Sequence, residues 1–205
     1  MIKANHSIVH QWLLNAYIGF ILKTDFRDVI ITGNVKPDNR SILLIANHFG
    51  WWDGFFAWYI NQKLLKKRFH VMMLEEELAK RMFFSRVGAF SVNHKSKTIL
   101  ESLGYSAELL KNSNNLVVMY PQGKLGSQHL WEVKFQKGVE RILEMAENTR
   151  VVFSVCLTDF FQNRKPTLTI ALCDYTGERS LDKIEFEFNK HLQNSVLNQH
   201  KLFTP

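Results

Sequence analysis

A chain of 205 residues is long enough for one domain with a substantial core, and its 46% hydrophobic and 22% charged content excludes a disordered or low-complexity polymer. A formal net charge of +7, combined with 16 phenylalanines, points toward nucleic acid, an anionic membrane surface, or an acidic ligand such as a coenzyme or acyl carrier. The two cysteines, Cys156 and Cys173, have no CxxC spacing, which argues against a zinc or dithiol site. They read as free buried thiols of a reducing compartment, with a disulfide between neighbouring strands as the alternative.

The first element is the apolar stretch IVHQWLLNAYIGFIL, Ile8 to Leu22. As a helix it spans only about 22 Å, short of the hydrocarbon thickness of a bilayer. His10, Gln11 and Asn15 interrupt it. Two readings stand: a helix packed on the domain, or an interfacial helix lying in a membrane surface with Trp12 and Tyr17 at headgroup level. Residues 1–25 are taken as this unit and 26–205 as the domain that follows. No secretory signal is evident.

Next come two strands, DVIITGNV and SILLIAN, joined by the polar turn KPDNR. A helix is expected from Gly54 to Leu65, then the basic run Lys63 to His70 and a short strand, HVMML. EEELAKRMFFSR, residues 75–86, carries acids in its first turn and bases near its end, as the helix dipole favours. VGAFSV is a short strand, and a helix follows from Ser96, a plausible N-cap, to the turn-rich NSNN. LVVMY reads as a strand broken by PQG, followed by a loop to Trp131 and a helix over FQKGVERILEMAE. The strands RVVFSVCLTD and TLTIALCDY and a polar helix from Ser180 to Gln199 complete the chain. This alternation predicts a single-domain α/β fold with a mostly parallel mixed sheet flanked by helices.

Among the chemistry-bearing residues there is no GxSxG elbow, glycine-rich dinucleotide fingerprint or P-loop. His6 and His10 share i, i+4 spacing, but no carboxylate or cysteine lies near to complete a metal site, so none is expected. The basic run from Lys63 reads as a solvated face, or as a dock for anionic headgroups, an acidic carrier surface or coenzyme A phosphates. Nucleic acid is not expected as a partner, because no recognition motif is present and most aromatics lie in apolar segments.

His48 and Asp53 remain. On a continuous helix a five-residue step would separate their side chains by roughly 140°. Here Asn47 and His48 end an apolar strand, Gly50 relaxes the turn and Asp53 opens a helix, so the pair straddles a strand-to-helix turn. In open α/β sheets ligands bind at such turns. Asp53 reads either as a helix N-cap or as a carboxylate that accepts the His48 N–H, fixes its tautomer and raises the basicity of the other nitrogen. The neighbouring Trp51, Trp52, Phe55 and Phe56 read as core packing, as an apolar groove for an acyl chain, or as both.

NHFGWWD, Asn47 to Asp53, resembles the NHxxxxD signature of the glycerolipid acyltransferases, the 1-acylglycerol-3-phosphate (lysophospholipid) acyltransferase superfamily. The resemblance covers about residues 30 to 160. GAFSVNH looks like the second block, VVMYPQGKLGS like the third (usually FPEGTRS), FQKG like the basic F-x-x-G element, and VVFSVCLTD like the apolar fourth. Four blocks stand in the family's order. The resemblance implies a glycerol-3-phosphate acyltransferase-like fold and a role in lipid metabolism. It also implies a reaction in which His48, oriented by Asp53, acts as general base on an acceptor hydroxyl. That oxygen attacks an acyl thioester and expels the thiol of coenzyme A or acyl carrier protein. No bound cofactor is expected, since acyl-CoA or acyl-ACP serves as co-substrate. Backbone N–H groups around Gly123 are candidates for stabilising the oxyanion.

Where the family has arginine in its second block, this chain offers Asn93 or His94; where the third has glutamate, threonine and arginine, it has Gln122, Lys124 and Leu125. Those family residues are associated with the acceptor's phosphate, and leucine cannot replace a bidentate guanidinium. Gln122, Gly123, Lys124, Lys137 and His94 are therefore taken as the acceptor-binding set. The acceptor is expected to be a hydroxyl-bearing lysolipid, including an aminolipid, a glycolipid or a pigment glycoside. The protein is expected on the cytoplasmic side, peripherally attached to the inner face of the membrane. The rival readings are a non-catalytic lipid- or acyl-thioester-binding protein and a thioester hydrolase in which His48 activates water.

Overall fold

The computed structural model describes residues 1–36, 38–93 and 96–202. Seven strands form one sheet: β1 (Asp28–Thr32), β2 (Ile42–Ala46), β3 (Arg68–Leu74), β4 (Ala89–Val92), β5 (Asn115–Met119), β6 (Arg150–Asp159) and β7 (Thr167–Tyr175). Their spatial order is β1-β7-β6-β2-β5-β3-β4, and every pairing is parallel except β6 with β7. The mostly parallel mixed sheet and single α/β domain expected from the sequence are both present.

β2 sits at the middle, between β5 and β6, and all five of its residues are buried. A strand covered on both faces needs an unbroken apolar run, and ILLIA supplies it. Ile42 and Leu44 face a core shared with α1 (Ile8–Asp25) and α2 (Asp53–Ile60). Leu43 and Ile45 face the other, shared with α4 (Ser96–Leu110), α5 (Gly138–Met145) and α6 (Leu181–Lys201). β1 is different. Its exposure alternates along the strand, and it lies at the sheet edge against β7, not beside β2. The polar turn after β1 is thus no hairpin.

α2 continues as a π-turn over Asn61–Leu65 and closes at Lys66, whose φ is 51°. The Asn61 amide seals that end, donating to Lys67 O and accepting from Lys67 N–H. The single helix expected over 75–86 divides into α3 (Glu75–Lys80) and a 3-10 segment, Met82–Val87. The chain leaves helical geometry at Arg81, φ −134° and ψ 59°, and the 3-10 segment after it is held by the extended residues ahead of α1, where Asn5 N–H and Ser7 N–H donate to the carbonyls of Ser85 and Arg86. The segment ends at Gly88, φ 110°, where a Cβ would lie 2.0 Å from Phe69 O and only glycine fits.

α5 is also shorter than expected, beginning at Gly138 and not at Phe135. Phe135 N–H donates to Glu185 of α6, and Gln136 N–H donates to Pro121 O, which draws this stretch out of the helix. Cys156 is buried and Cys173 exposed, and both are free. On the β6–β7 ladder they face Ile170 and Phe153, so no disulfide joins them. The expectation that both thiols are buried is corrected at Cys173.

α1 buries Leu14, Ile18, Ile21 and Leu22 against the domain. Its other side leaves Ile8, Val9, Trp12 and Phe20 between 64% and 86% exposed. No described helix is long and apolar enough to cross a membrane.

Candidate active site

Beyond β2 the Asn47 side chain continues the ladder in place of backbone: its amide donates to Cys156 O and accepts from Cys156 N–H, each at 2.8 Å. This releases the main chain to turn. His48 leaves the strand, and Asp53 begins α2. Asp53 Oδ2 accepts from His48 Nδ1–H at 2.6 Å, from Phe49 N–H at 2.8 Å and from Gly50 N–H at 3.0 Å. These N–H groups precede the carboxylate instead of following it, so Asp53 does not act as the N-cap of its own helix. It closes the turn backwards onto the histidine.

Because a carboxylate only accepts here, Nδ1 carries the proton and Nε2 keeps its lone pair. Among the described residues Nε2 has no hydrogen-bond partner. The His48 side chain is 28% exposed and that of Asp53 3%. The imidazole therefore reaches the surface while its carboxylate partner stays dry beneath it.

The end of β5 clamps the histidine from the other side. His48 N–H donates to Gln122 Oε1 at 2.7 Å, and Gly126 N–H donates to His48 O at 2.8 Å. The Tyr120 ring stacks on the imidazole, centroids 4.5 Å apart and planes 21° from parallel. The Tyr120 hydroxyl is buried, and its pKa is raised well above the ordinary value, first by that burial and then by the Asp53 charge. Burial likewise raises the Cys156 thiol far above its ordinary value, with Asp53 adding to it, so this sulfur is no nucleophile.

The remaining expected site residues separate. Gln122 lies beside His48, but its oxygen is committed to the His48 backbone. Gly123 has φ 67° and gives its N–H to Tyr120 O, so that N–H is not free to meet an oxyanion. Lys124 and Lys137 are exposed, on segments tied together by the Gln136–Pro121 bond. His94 lies outside the described residues. A small pocket touches His48, and the described residues of its walls, including Asn47, Phe49, Gln122, Ser127 and Gln128, carry no acidic side chain, lysine or arginine. The basic run lies elsewhere. Arg68 pairs with Asn115 at the starts of β3 and β5, the end of the sheet opposite His48.

The four aromatics also divide. Trp51 and Phe55 line a cavity of about 440 Å³, closed by Leu13 and Tyr17 of α1 and by Phe83 and Phe84. Trp52 and Phe56 turn inward instead: their rings stack at 5.9 Å and 7°, and Phe56 is 0% exposed. His6 and His10 do not form a pair. His6 Nε2 meets His70 Nε2 at 3.1 Å, and His10 Nδ1 meets Ser7 Oγ. No group of three potential metal ligands occurs among the described residues.

Tyr120 and Gly126 escape a reading of the sequence because their distance from His48 along the chain is long. Only the parallel pairing of β2 with β5 brings them there. The one available signal is that both belong to the third block.

A search of curated proteins finds no significant match. Among solved structures, the 1-acyl-sn-glycerophosphate (LPA) acyltransferase PlsC from Thermotoga maritima superposes with a TM-score of 0.62 at 16% identity, covering 95% of this chain and 81% of that one. At that identity the likeness is one of fold. The sequence model of the acyltransferase family matches residues 28–158, more than half the chain, and spans β1 to the end of β6 with His48 and Asp53 inside it. The chain belongs to the acyltransferase family.

Proposed function

We propose that this acyltransferase moves a fatty acyl group from an acyl-CoA or acyl-ACP thioester to a hydroxyl of a lysolipid. One observation carries the reading: a histidine held through Nδ1 by a buried carboxylate, with Nε2 unbonded at the rim of a pocket. Nε2 takes the proton of the acceptor hydroxyl as its oxygen attacks the thioester carbonyl. The positive charge this creates on the imidazole is met by Asp53. The tetrahedral intermediate then collapses, the C–S bond breaks, and the thiolate leaves with the proton returned by His48. A thioester is already activated, so base catalysis and positioning suffice without a covalent acyl-enzyme.

The acyl chain is assigned to the cavity beside Trp51 and Phe55, where each buried CH₂ contributes about 0.8 kcal/mol. Its apolar lining and its position next to the His48 turn support this. α1, which lines the cavity with Leu13 and Tyr17, also exposes Ile8, Val9, Trp12 and Phe20, and Trp51 is exposed as well, side chains suited to the interfacial region of a membrane. The protein thereby sits peripherally on the membrane's cytoplasmic face, and the acyl chain reaches the cavity from that side. The absence of lysine and arginine from the described walls of the pocket at His48 supports an acceptor whose head is a neutral hydroxyl-rich group over one carrying a phosphate monoester.

The test is thiol release from a long-chain acyl thioester, offered both on coenzyme A and on acyl carrier protein, with mass spectrometry of the lipid product. The expected result is release only when an acceptor is present, with a lysoglycolipid turned over at least as fast as lysophosphatidic acid. Strict dependence on the phosphate would overturn the acceptor assignment. Release without any acceptor would replace the transferase with a hydrolase.

A further inference from the structure

We propose that Tyr120 is a positioning residue for His48, its half-buried ring lying against one face of the imidazole and fixing the direction in which Nε2 points. The inference takes its reaction from the acyltransferase reading above, while its geometry stands independently of substrate.

Four contacts hold the histidine, and they restrain three different things. The bonds to Gln122 Oε1 and from Gly126 N–H fix the backbone of residue 48. The bond to Asp53 Oδ2 fixes Nδ1. Neither meets the face of the ring, whose χ1 and χ2 torsions can still move together by bending the single Nδ1 bond, and that motion swings Nε2 through the pocket. The stacked Tyr120 ring, 4.5 Å away and 21° from parallel, is the contact that opposes it. Productive proton transfer requires the acceptor oxygen within hydrogen-bond reach of Nε2, so a loose imidazole loses rate without losing substrate.

Tyr120 suits this task because packing, not hydrogen bonding, keeps it still. It directly follows Met119, the last residue of β5, and Met119 pairs with Ile45 of β2. Its ring packs on the core beneath α1 and α2. Its hydroxyl is buried and has no hydrogen-bond partner among the described residues. An unpaired buried hydroxyl is unfavourable, so the phenol oxygen does not account for the ring's placement. The Asp53 Oδ1 atom is likewise buried and unpartnered, which leaves Oδ2 as the carboxylate's single hold on the imidazole.

The experiment compares the wild type with Tyr120→Phe, Tyr120→Leu and Tyr120→Met. It measures kcat and KM for acceptor-dependent thiol release and, without substrate, the proton NMR signal of His48 Nδ1–H. Tyr120→Phe keeps the ring and is expected to hold kcat within about twofold, with equal or higher thermal stability. Tyr120→Leu and Tyr120→Met remove the stacked face and are expected to lower kcat roughly ten- to a hundredfold at little-changed KM, with a broadened Nδ1–H signal. Methionine, long and flexible, fills more of the site should leucine fold poorly. Full kcat and a sharp signal in both aliphatic variants would overturn the proposal. So would an equal loss in Tyr120→Phe, which would place the effect in the hydroxyl. If the wild type transfers no acyl group, the proposed function fails and the NMR arm alone decides: an unchanged signal without the ring refutes the positioning role.

Discussion

Two side-chain pairs, each built on an aspartate, stand at opposite ends of the sheet, and they are built differently. At the start of β6 the Arg150 guanidinium meets both oxygens of Asp174 at 2.5 Å and donates to Lys36 O as well, with 7% of its side chain exposed. At the end of β2, His48 uses one nitrogen on Asp53 and leaves the other without a partner, and one oxygen of that carboxylate likewise has no partner among the described residues. The first arrangement is closed: a bidentate fork and a carbonyl engage all three nitrogens of a buried guanidinium. It fastens β6 to β7 and to the segment ahead of β2. The second is open on one side. The comparison separates a charge pair used as a staple from a pair held ready for a proton, and it falls where strand direction puts it, since ligand sites of parallel sheets lie at the carboxyl ends of the strands.

The open pair is the more sensitive to chemistry. Asp53→Asn keeps the shape but presents an amide that can hold the wrong imidazole tautomer, and kcat is expected to fall roughly a thousandfold or more, read by thiol release, with little change in unfolding midpoint. The closed pair is the more sensitive to stability. Asp174→Ala leaves Arg150 buried without its counter-charge and is expected to cost about 3 kcal/mol in denaturant unfolding, with kcat of the folded fraction unchanged. A double replacement, Arg150→Met with Asp174→Leu, should recover most of that loss, because it removes the charges together.

A third arrangement lies between the two. Burial, the neighbouring His70 and the Arg68 charge hold His6 down to about 4, and burial does the same for His70, whose pKa also falls to about 4. Both are neutral when folded near pH 7, and His70 Nδ1–H donating to the carbonyls of Arg68 and Leu116 leaves its Nε2 to accept from His6. In the unfolded chain each protonates near 6.5. The neutral pair therefore contributes stability that is complete above about 6.5 and is lost progressively as the pH falls toward 4. Thermal unfolding from pH 7 to 4 should show this decline, and His6→Gln should flatten it. The smallest effect is expected at Asn189, whose amide donates to Val133 O and accepts from Val133 N–H. Asn189→Leu should cost about 1–2 kcal/mol and speed proteolysis between Ser127 and Val133, beside the pocket.

What the sequence made legible was local. His48 and Asp53 are five residues apart, and the strand-to-helix change between them can be read from an apolar run, a glycine and a second apolar run. Helix and strand alternation likewise carried the α/β architecture. What it hid was decided by partners far along the chain. Nothing in DVIIT tells that it pairs with residues 167–171. Nothing in EEELAKRMFFSR tells that Asn5 and Ser7 claim its last carbonyls. Among the aromatics, the division of Trp51 and Phe55 from Trp52 and Phe56 depends on where α1 docks. The third block marked Gln122 as a substrate residue, whereas its oxygen is spent on the backbone of His48, a contact that exists only because β5 lies beside β2.

The most direct test of the account is single-turnover thiol release from a long-chain acyl thioester, with and without lysolipid, in the wild type and in His48→Ala. The account predicts acceptor-dependent release in the wild type and its loss by roughly a thousandfold or more in the variant, with the acyl group recovered on the lipid. Undiminished transfer by His48→Ala would contradict it, because the open pair would then have no part in the chemistry.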